Sequence, residues 1–172
     1  MRPADLLIDA VGRVREVLRA AVQDLTPEQL AWRADPRSNT VGWLAWHLTR
    51  VQDDHVAEVA GTEQVWTAGG WQQRLGLDVA PGDIGYGHSS AQVAAVRIEE
   101  PALLLAYHDA VHESTVRYLD GLTADDLDRV VDERWDPPVT LGVRLVSVVS
   151  DDLQHAGQAA FLRGLLERAG DG

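Results

Sequence analysis

Four long stretches with helical periodicity constrain the fold more than any other feature of this chain. In residues 3–24, apolar side chains recur at steps of three and four residues, which places them on one face of an α-helix. The same periodicity recurs three more times, over residues 40–60, 101–122 and 140–169. We see no convincing strand pattern. Four long helices joined by short helical turns predict an all-α four-helix bundle that occupies residues 1–172 as a single domain.

Residues typical of helix ends mark where these stretches begin and stop. Thr26 and Thr123 are each predicted to begin a short helical turn. A Thr side chain at that position can accept a hydrogen bond from the first free backbone N–H groups of the turn. Asn39 or Thr40 is predicted to cap the second long helix, and Gly61 to end it. The sequence therefore predicts helix ends as well as helix positions.

The least regular part of the chain is the Gly-rich connection formed by residues 62–90. Short helices are predicted near residues 72–75 and 90–98. A connection of this length inside one domain is usually functional or lies on the surface. The sequence does not decide between these roles.

The absence of cysteine limits the chemistry that this chain can perform. Disulfides, thiolate metal ligands and cysteine nucleophiles are excluded. A bound metal ion must therefore be held by His, Asp or Glu, and a reactive thiol must come from another molecule.

The formal net charge is −12, from 15 basic and 27 acidic residues. Nucleic-acid binding depends on Lys and Arg to neutralise phosphates, so this balance argues against nucleic acid and against an anionic membrane surface as partners. No apolar run approaches the length of a membrane span, and the first residues do not resemble a secretion signal. We therefore expect a cytoplasmic protein.

The most specific chemical pattern is Asp151 with His155. Residues four apart on a helix project from one face, which is the spacing for two ligands to one metal ion. His47 stands alone within an otherwise apolar helix, and if the two helices pack together the three side chains form a two-histidine, one-carboxylate site. The alternatives are a core histidine at position 47 and a simple pair between Asp151 and His155. We expect Asp151 to be the buried carboxylate, because Val148 and Leu162 share its side of the helix, and Asp152, on the opposite side, to be a weaker ligand candidate.

The other histidines are weaker candidates. His108 and His112 form the one His-xxx-His pair, but they lie beside the apolar stripe of their helix, so we expect them on the surface. His88 lies in the Gly-rich connection, where its position is unconstrained. His55 is expected to be a polar residue two turns after His47, and Asp54 could support the site as an outer carboxylate.

Two segments in order, residues 39–48 (NTVGWLAWHL) and residues 155–166 (HAGQAAFLRGLL), resemble the DinB-like superfamily. The resemblance is strongest to an actinobacterial branch with a domain of unknown function, and the mycothiol-dependent maleylpyruvate isomerases are similar. It implies an up-down-down-up bundle and a divalent metal held at positions that match His47, Asp151 and His155. Many relatives carry His at the position of Asp151, whereas the isomerases carry a carboxylate there.

The resemblance also implies a function, because some members of the superfamily are thiol S-transferases or isomerases that use mycothiol or bacillithiol. Three protein ligands leave metal positions open for water or a thiol. We therefore expect a metal-dependent S-transferase with Zn²⁺ as the first choice of metal and Ni²⁺, Fe²⁺ or Mn²⁺ as others. Arg50 and Arg144 are candidates to hold an anionic group of the thiol cofactor. The alternative is a non-catalytic metal- or ligand-binding bundle, or a structural one that forms a homodimer.

Overall fold

The computed structural model describes residues 1–170. Its four long helices are α1 (Pro3–Val22), α3 (Val41–Ala60), α7 (Pro101–Asp120) and α8 (Leu141–Gly170). Four short helices lie in the connections: α2 (Pro27–Leu30), α4 (Val65–Ala68), α5 (Trp71–Arg74) and α6 (Ser90–Ala95). A 3-10 turn, Asp125–Asp128, precedes a two-stranded hairpin of β1 (Val130–Asp132) and β2 (Val139–Thr140). The predicted all-α bundle is confirmed.

The helix that carries His47 begins and ends where its capping residues predict. The Thr40 side chain accepts a hydrogen bond from the Trp43 backbone N–H at 3.0 Å. At the other end Gly61 has φ +66°, the left-handed conformation that glycine adopts without a steric penalty. These caps fix the length of α3 and hence the turn on which His47 lies.

Antiparallel packing of α1 and α7 is fixed by ion pairs at two heights. Arg2, next to the start of α1, bonds Asp120 at the end of α7 at 2.8 Å. Arg19, near the end of α1, bonds Asp109 in the middle of α7 at 2.6 Å. One helix therefore rises while the other descends.

The helices α3 and α7 run in the same direction. Thr49 in the first half of α3 lies 3.1 Å from His108 of α7, between Oγ1 and Nδ1. Near the C-terminal ends of both helices, the Tyr118 hydroxyl donates to the Val59 carbonyl at 3.3 Å. Because α3 and α7 run in the same direction, the chain must return along the bundle between them, and residues 61–100 form this connection.

The last helix closes the bundle between α1 and α3. Arg144, at the start of α8, bonds Glu58 at the end of α3 at 2.5 Å, so these helices are antiparallel. Arg163, near the end of α8, donates to the Ala20 carbonyl near the end of α1 at 2.7 Å, so these two are parallel. The directions confirm the up-down-down-up connectivity that the resemblance implies.

The expectation of a chain without strands is wrong for the segment before α8. Val130 pairs with Thr140, and Asp132 with Val139, in an antiparallel hairpin. Strands of two and three residues are too short to show an alternating pattern in the sequence. The hairpin has a positional role, because it places the buried Asp132 carboxylate 3.3 Å from Arg144.

Within residues 1–170, the helices do not include one that is both long and apolar enough to span a membrane.

Candidate metal centre

Three side chains from two antiparallel helices meet on one side of the bundle. His47 of α3 and Asp151 and His155 of α8 each offer a ligand atom within 4.8 Å of the other two. The two imidazole ring centres are 4.9 Å apart, and His155 Nε2 lies 3.7 Å from an Asp151 carboxylate oxygen. The structure thus brings together the three residues that the sequence suggests as ligands.

The unmet hydrogen-bonding capacity of Asp151 fits a cation at this point. Its Oδ2 is buried and, within the described residues, has no hydrogen-bond partner. An unpaired buried carboxylate oxygen is unfavourable unless a hydrogen bond or an ion compensates it. Two nitrogens and one carboxylate form a donor set that suits Zn²⁺ and similar divalent ions.

Both imidazoles are oriented by hydrogen bonds at the nitrogen away from the site. His155 Nδ1 bonds the side-chain oxygen of Gln158 at 2.9 Å, and His47 Nδ1 bonds the Ile84 carbonyl. An oxygen acceptor places the proton on Nδ1, so Nε2 keeps its lone pair for a metal ion. Burial also lowers the pKa of His47 against the opposing effect of the Ile84 carbonyl, which favours the neutral, metal-binding imidazole.

The residues that support His47 belong to the Gly-rich connection. We call residues 81–88 the strap. At Gly85, with φ +90°, a Cβ atom would lie 2.8 Å from His47 Nδ1, so this close approach requires glycine. The Asp83 carboxylate accepts from the Gly85 N–H at 2.7 Å and also pairs with His88 Nε2 at 3.0 Å. The strap is therefore held in the position that brings the Ile84 carbonyl to His47.

Trp43 links the strap back to the same histidine. Its indole N–H donates to His88 Nδ1 at 3.1 Å, and its ring stacks on His47 with centres 4.5 Å apart. His88 thus contributes from outside the ligand set. Sequence patterns do not define the position of His88 and do not point to Asp83 or Ile84, because the folded strap is what brings these residues to α3.

Arg50 is enclosed by protein groups, whereas a residue that binds a cofactor must be accessible to it. It is fully buried, and its guanidinium donates to the carbonyls of Asp83 and Pro81 at 3.1 and 3.4 Å and to the Gln64 side chain at 2.9 Å. It also lies 4.8 Å from the ring centre of Trp66. These contacts favour a structural role, in which Arg50 anchors the strap and the segment before α4.

Asp53 completes this buried cluster. Its carboxylate accepts from the backbone N–H groups of Val65 and Trp66 at 2.8 and 2.7 Å and from the Tyr107 hydroxyl at 2.8 Å. Burial raises the pKa of Asp53, while these three donors and Arg50 act in the opposite direction. Arg50, Asp53 and Tyr107 form what we call the closed cluster, since its groups are bonded to one another and to the protein backbone.

Arg144, the second predicted cofactor residue, lies at an accessible place. It lines a cavity of about 250 Å³ together with His47, Asp151 and Tyr86, which we call the metal cavity. It also lines a neighbouring polar cavity of about 460 Å³. The two cavities share His55 and Arg144 as lining residues, so they lie next to each other. Side chains of both charges line the polar part: Asp54, Glu58, Arg134 and Arg144.

Two expectations about burial are wrong. Asp152, rather than Asp151, is the fully buried carboxyl of the pair; burial raises its pKa well above the usual range, and Asp151 keeps 39% of its side-chain exposure. His108 is not a surface residue, because it is 1% exposed and contacts Thr49. Its neighbour His112 is half-buried. Among the described residues, the one group of three or more potential ligands is His47, Asp151 and His155.

Comparison with known proteins then decides the family. A family model described as mycothiol-S-transferase matches residues 6–168. The chain belongs to the mycothiol-S-transferase family. The predicted resemblance to the DinB-like superfamily is thereby confirmed, since this family has the DinB-like fold.

A solved structure supports the same fold. The crystal structure of a conserved protein from Enterococcus faecalis is similar to this member of the mycothiol-S-transferase family, with 29% identity and a TM-score of 0.89. The similarity covers 95% of this chain and 96% of that chain. Among curated proteins, none matches.

Proposed function

We propose that this protein is a metal-dependent S-transferase that joins the thiol of mycothiol, or of a similar sugar-linked thiol, to a small electrophile. His47, Asp151 and His155 are the metal ligands. The observation that carries the proposal is the convergence of these side chains, with an Asp151 oxygen that has no partner among the described residues, in a chain of the mycothiol-S-transferase family.

The metal would supply Lewis acidity, which lowers the pKa of a thiol and makes the thiolate available near neutral pH. The chain itself contains no cysteine, so the reacting sulfur is that of the added thiol. In the overall reaction a sulfur–carbon bond forms, the leaving group departs with its electron pair, and the thiol proton is released.

The protein residues around the site bind and orient the reactants. Arg144 is held in place by Glu58 at 2.5 Å and Asp132 at 3.3 Å, and it lines both the metal cavity and the polar cavity. We assign it to an oxygen of the thiol cofactor. The acidic side chains of the polar cavity can accept hydrogen bonds from the hydroxyl groups of a sugar, and its basic side chains can donate to them.

Elemental analysis and a thiol-conjugation assay test this proposal together. We expect the purified protein to contain a divalent metal and to conjugate mycothiol to an electrophile such as iodoacetamide. His47→Ala and His155→Ala should lose both properties, whereas His112→Ala, a histidine outside the ligand set, should keep them. Conjugation that survives in metal-free His47→Ala would reject the proposal.

A non-catalytic metal-binding role uses the same three ligands. It would be indicated by tight metal binding without conjugation of any thiol by the wild-type protein. The homodimer and the cytoplasmic location stay predictions from the sequence.

A further inference from the structure

Tyr86 is the most exposed aromatic side chain close to the metal centre. It lies on the strap and is 90% exposed, and it lines the metal cavity together with His47 and Asp151. By contrast, Trp43 and Trp46, which lie below the same part of the strap, are 5% and 0% exposed. Tyr86 therefore contributes little to the core, and its exposure needs another explanation.

The backbone on both sides of Tyr86 is fixed. The His88 N–H donates to the Gly85 carbonyl at 3.2 Å, which closes a four-residue turn with Tyr86 at its second position and Gly87 at its third. Gly87 has φ +72°, the value that a type II turn requires at that position. The turn is anchored by Asp83 and by the close approach of Gly85 to His47. A rigid turn thus projects one aromatic ring from its apex at the edge of the cavity.

The walls of the metal cavity are suited to a small and partly apolar molecule. Val51, Ile84 and Val148 line the cavity beside the ligand side chains and contribute apolar surface. The volume of about 250 Å³ is slightly below the usual range for drug-sized ligands, so the occupant is small. An aromatic ring at the edge of such a cavity gains most from contact with another flat π-system, by stacking or edge-to-face packing.

We infer that Tyr86 is a specificity-determining residue, whose ring packs against a flat aromatic or conjugated electrophile in the metal cavity. This inference rests on the proposed function, because it names the class of electrophile used at the same site. The phenol ring rather than the hydroxyl makes the contact, so phenylalanine should replace tyrosine.

Steady-state kinetics with two electrophiles test the inference. Metal-loaded wild type, Tyr86→Ala and Tyr86→Phe are compared using mycothiol with flat 1-chloro-2,4-dinitrobenzene or non-aromatic iodoacetamide. We expect Tyr86→Ala to raise KM for the aromatic electrophile by roughly two- to tenfold, the effect of one aromatic pair, with little change in kcat. KM for iodoacetamide should stay unchanged, and Tyr86→Phe should behave as wild type.

Trp135→Ala is the matched control, because Trp135 is also exposed, at 66%, and lies in the hairpin rather than along the metal cavity. An equal loss with both electrophiles, a loss of metal in Tyr86→Ala, or unchanged kinetics would overturn the inference. The first two results would mean that the residue acts through the fold of the strap.

A separate binding measurement distinguishes failure of the inference from failure of the proposed function. If metal-loaded wild type conjugates neither electrophile, the transferase proposal fails. The contact is then judged by titrating the Co²⁺-loaded protein with benzyl mercaptan and with propanethiol. Weaker binding of the aromatic thiol alone in Tyr86→Ala supports the contact, and equal effects on both thiols overturn it.

Discussion

Two polar clusters share the helix α3, and they differ in whether the hydrogen bonds of their polar groups are complete. The closed cluster of Arg50, Asp53 and Tyr107 is buried, and its charged groups are bonded to one another and to backbone atoms. The metal centre, one turn earlier at His47, borders a cavity and leaves an Asp151 oxygen without a partner among the described residues. Complete bonding indicates a structural role, and incomplete bonding beside a cavity indicates a ligand.

The largest expected effect on stability comes from breaking the closed cluster. Asp53→Ala removes the acceptor of two backbone N–H groups and leaves the Arg50 charge buried without its acid. Loss of one member of a buried ion pair typically destabilises a protein by about 3–5 kcal/mol. Urea unfolding measures this change in the metal-free protein. A loss below about 1 kcal/mol would show that the closed cluster contributes little to the stability of the fold.

Removing a metal ligand should instead lower metal affinity strongly and stability only slightly. His155→Ala is expected to weaken Zn²⁺ binding by at least about a hundredfold, more than the loss of most outer-shell contacts. Because the polar contacts of His155 within residues 1–170 are a hydrogen bond to Gln158 and a longer pairing with Asp151, the metal-free protein should lose less than about 1 kcal/mol of unfolding free energy. Competition with a chromophoric chelator measures the affinity. Comparable losses of stability in His155→Ala and Asp53→Ala would remove the distinction between the clusters.

A smaller effect is expected from the strap, which connects the two clusters. His88→Ala leaves the ligands in place but removes the partner of Asp83 and Trp43. We expect Zn²⁺ affinity to fall by about tenfold, as for other contacts that orient a metal ligand. Isothermal titration of the variant beside His112→Ala checks this. Unchanged affinity in both would show that Ile84 holds His47 without help from His88.

Close to neutral pH, the smallest expected effect is a pH dependence of stability from the buried His108. Burial lowers the pKa of His108 to about 3, so the unfolded chain takes up a proton below about pH 6.5 while the folded protein does not. Stability from this group is complete above that pH and falls by up to about 1.4 kcal/mol per pH unit as the pH decreases toward 3. The raised pKa of Asp152 works in the other direction over acidic pH, because its folded form retains a proton that the unfolded chain loses.

The contribution of His108 to the pH dependence of stability is therefore obtained by comparing the wild type with a variant that lacks this histidine. Urea unfolding of wild type and His108→Asn between about pH 6.5 and pH 4.5 should show a steeper loss of stability in the wild type. Parallel curves would mean that the folded protein protonates His108 as readily as the unfolded chain does.

The sequence predicts most of the fold because its helices are specified locally. Periodicity, the Thr40 cap and Gly61 together place α3 to within a residue or two. The pairing of Asp151 with His155 is local as well, since it follows from helical spacing. The partnership of His47 with α8 depends on packing, and the resemblance supplied it.

Other features could not be predicted because they depend on contacts between distant segments. Ile84 and Asp83 lie in an irregular connection, so nothing in their sequence spacing points to His47. Side chains of successive helical residues point in directions about 100° apart around the helix axis. An error in the predicted rotation of α8 about its axis is therefore enough to exchange the expected burial of Asp151 and Asp152. The burial of His108 does not follow from the sequence pattern, because the buried face of α7 is wider than its apolar stripe and includes this histidine, which contacts Thr49.

The most direct test of the metal-dependent transferase is the absorption spectrum of the Co²⁺-loaded protein during titration with mycothiol. The account predicts a sulfur-to-cobalt charge-transfer band that saturates at one thiol per bound ion. It predicts the same band in His112→Ala and none in His47→Ala. A wild-type protein that holds Co²⁺ but shows no such band with mycothiol would contradict the claim that this centre activates a thiol.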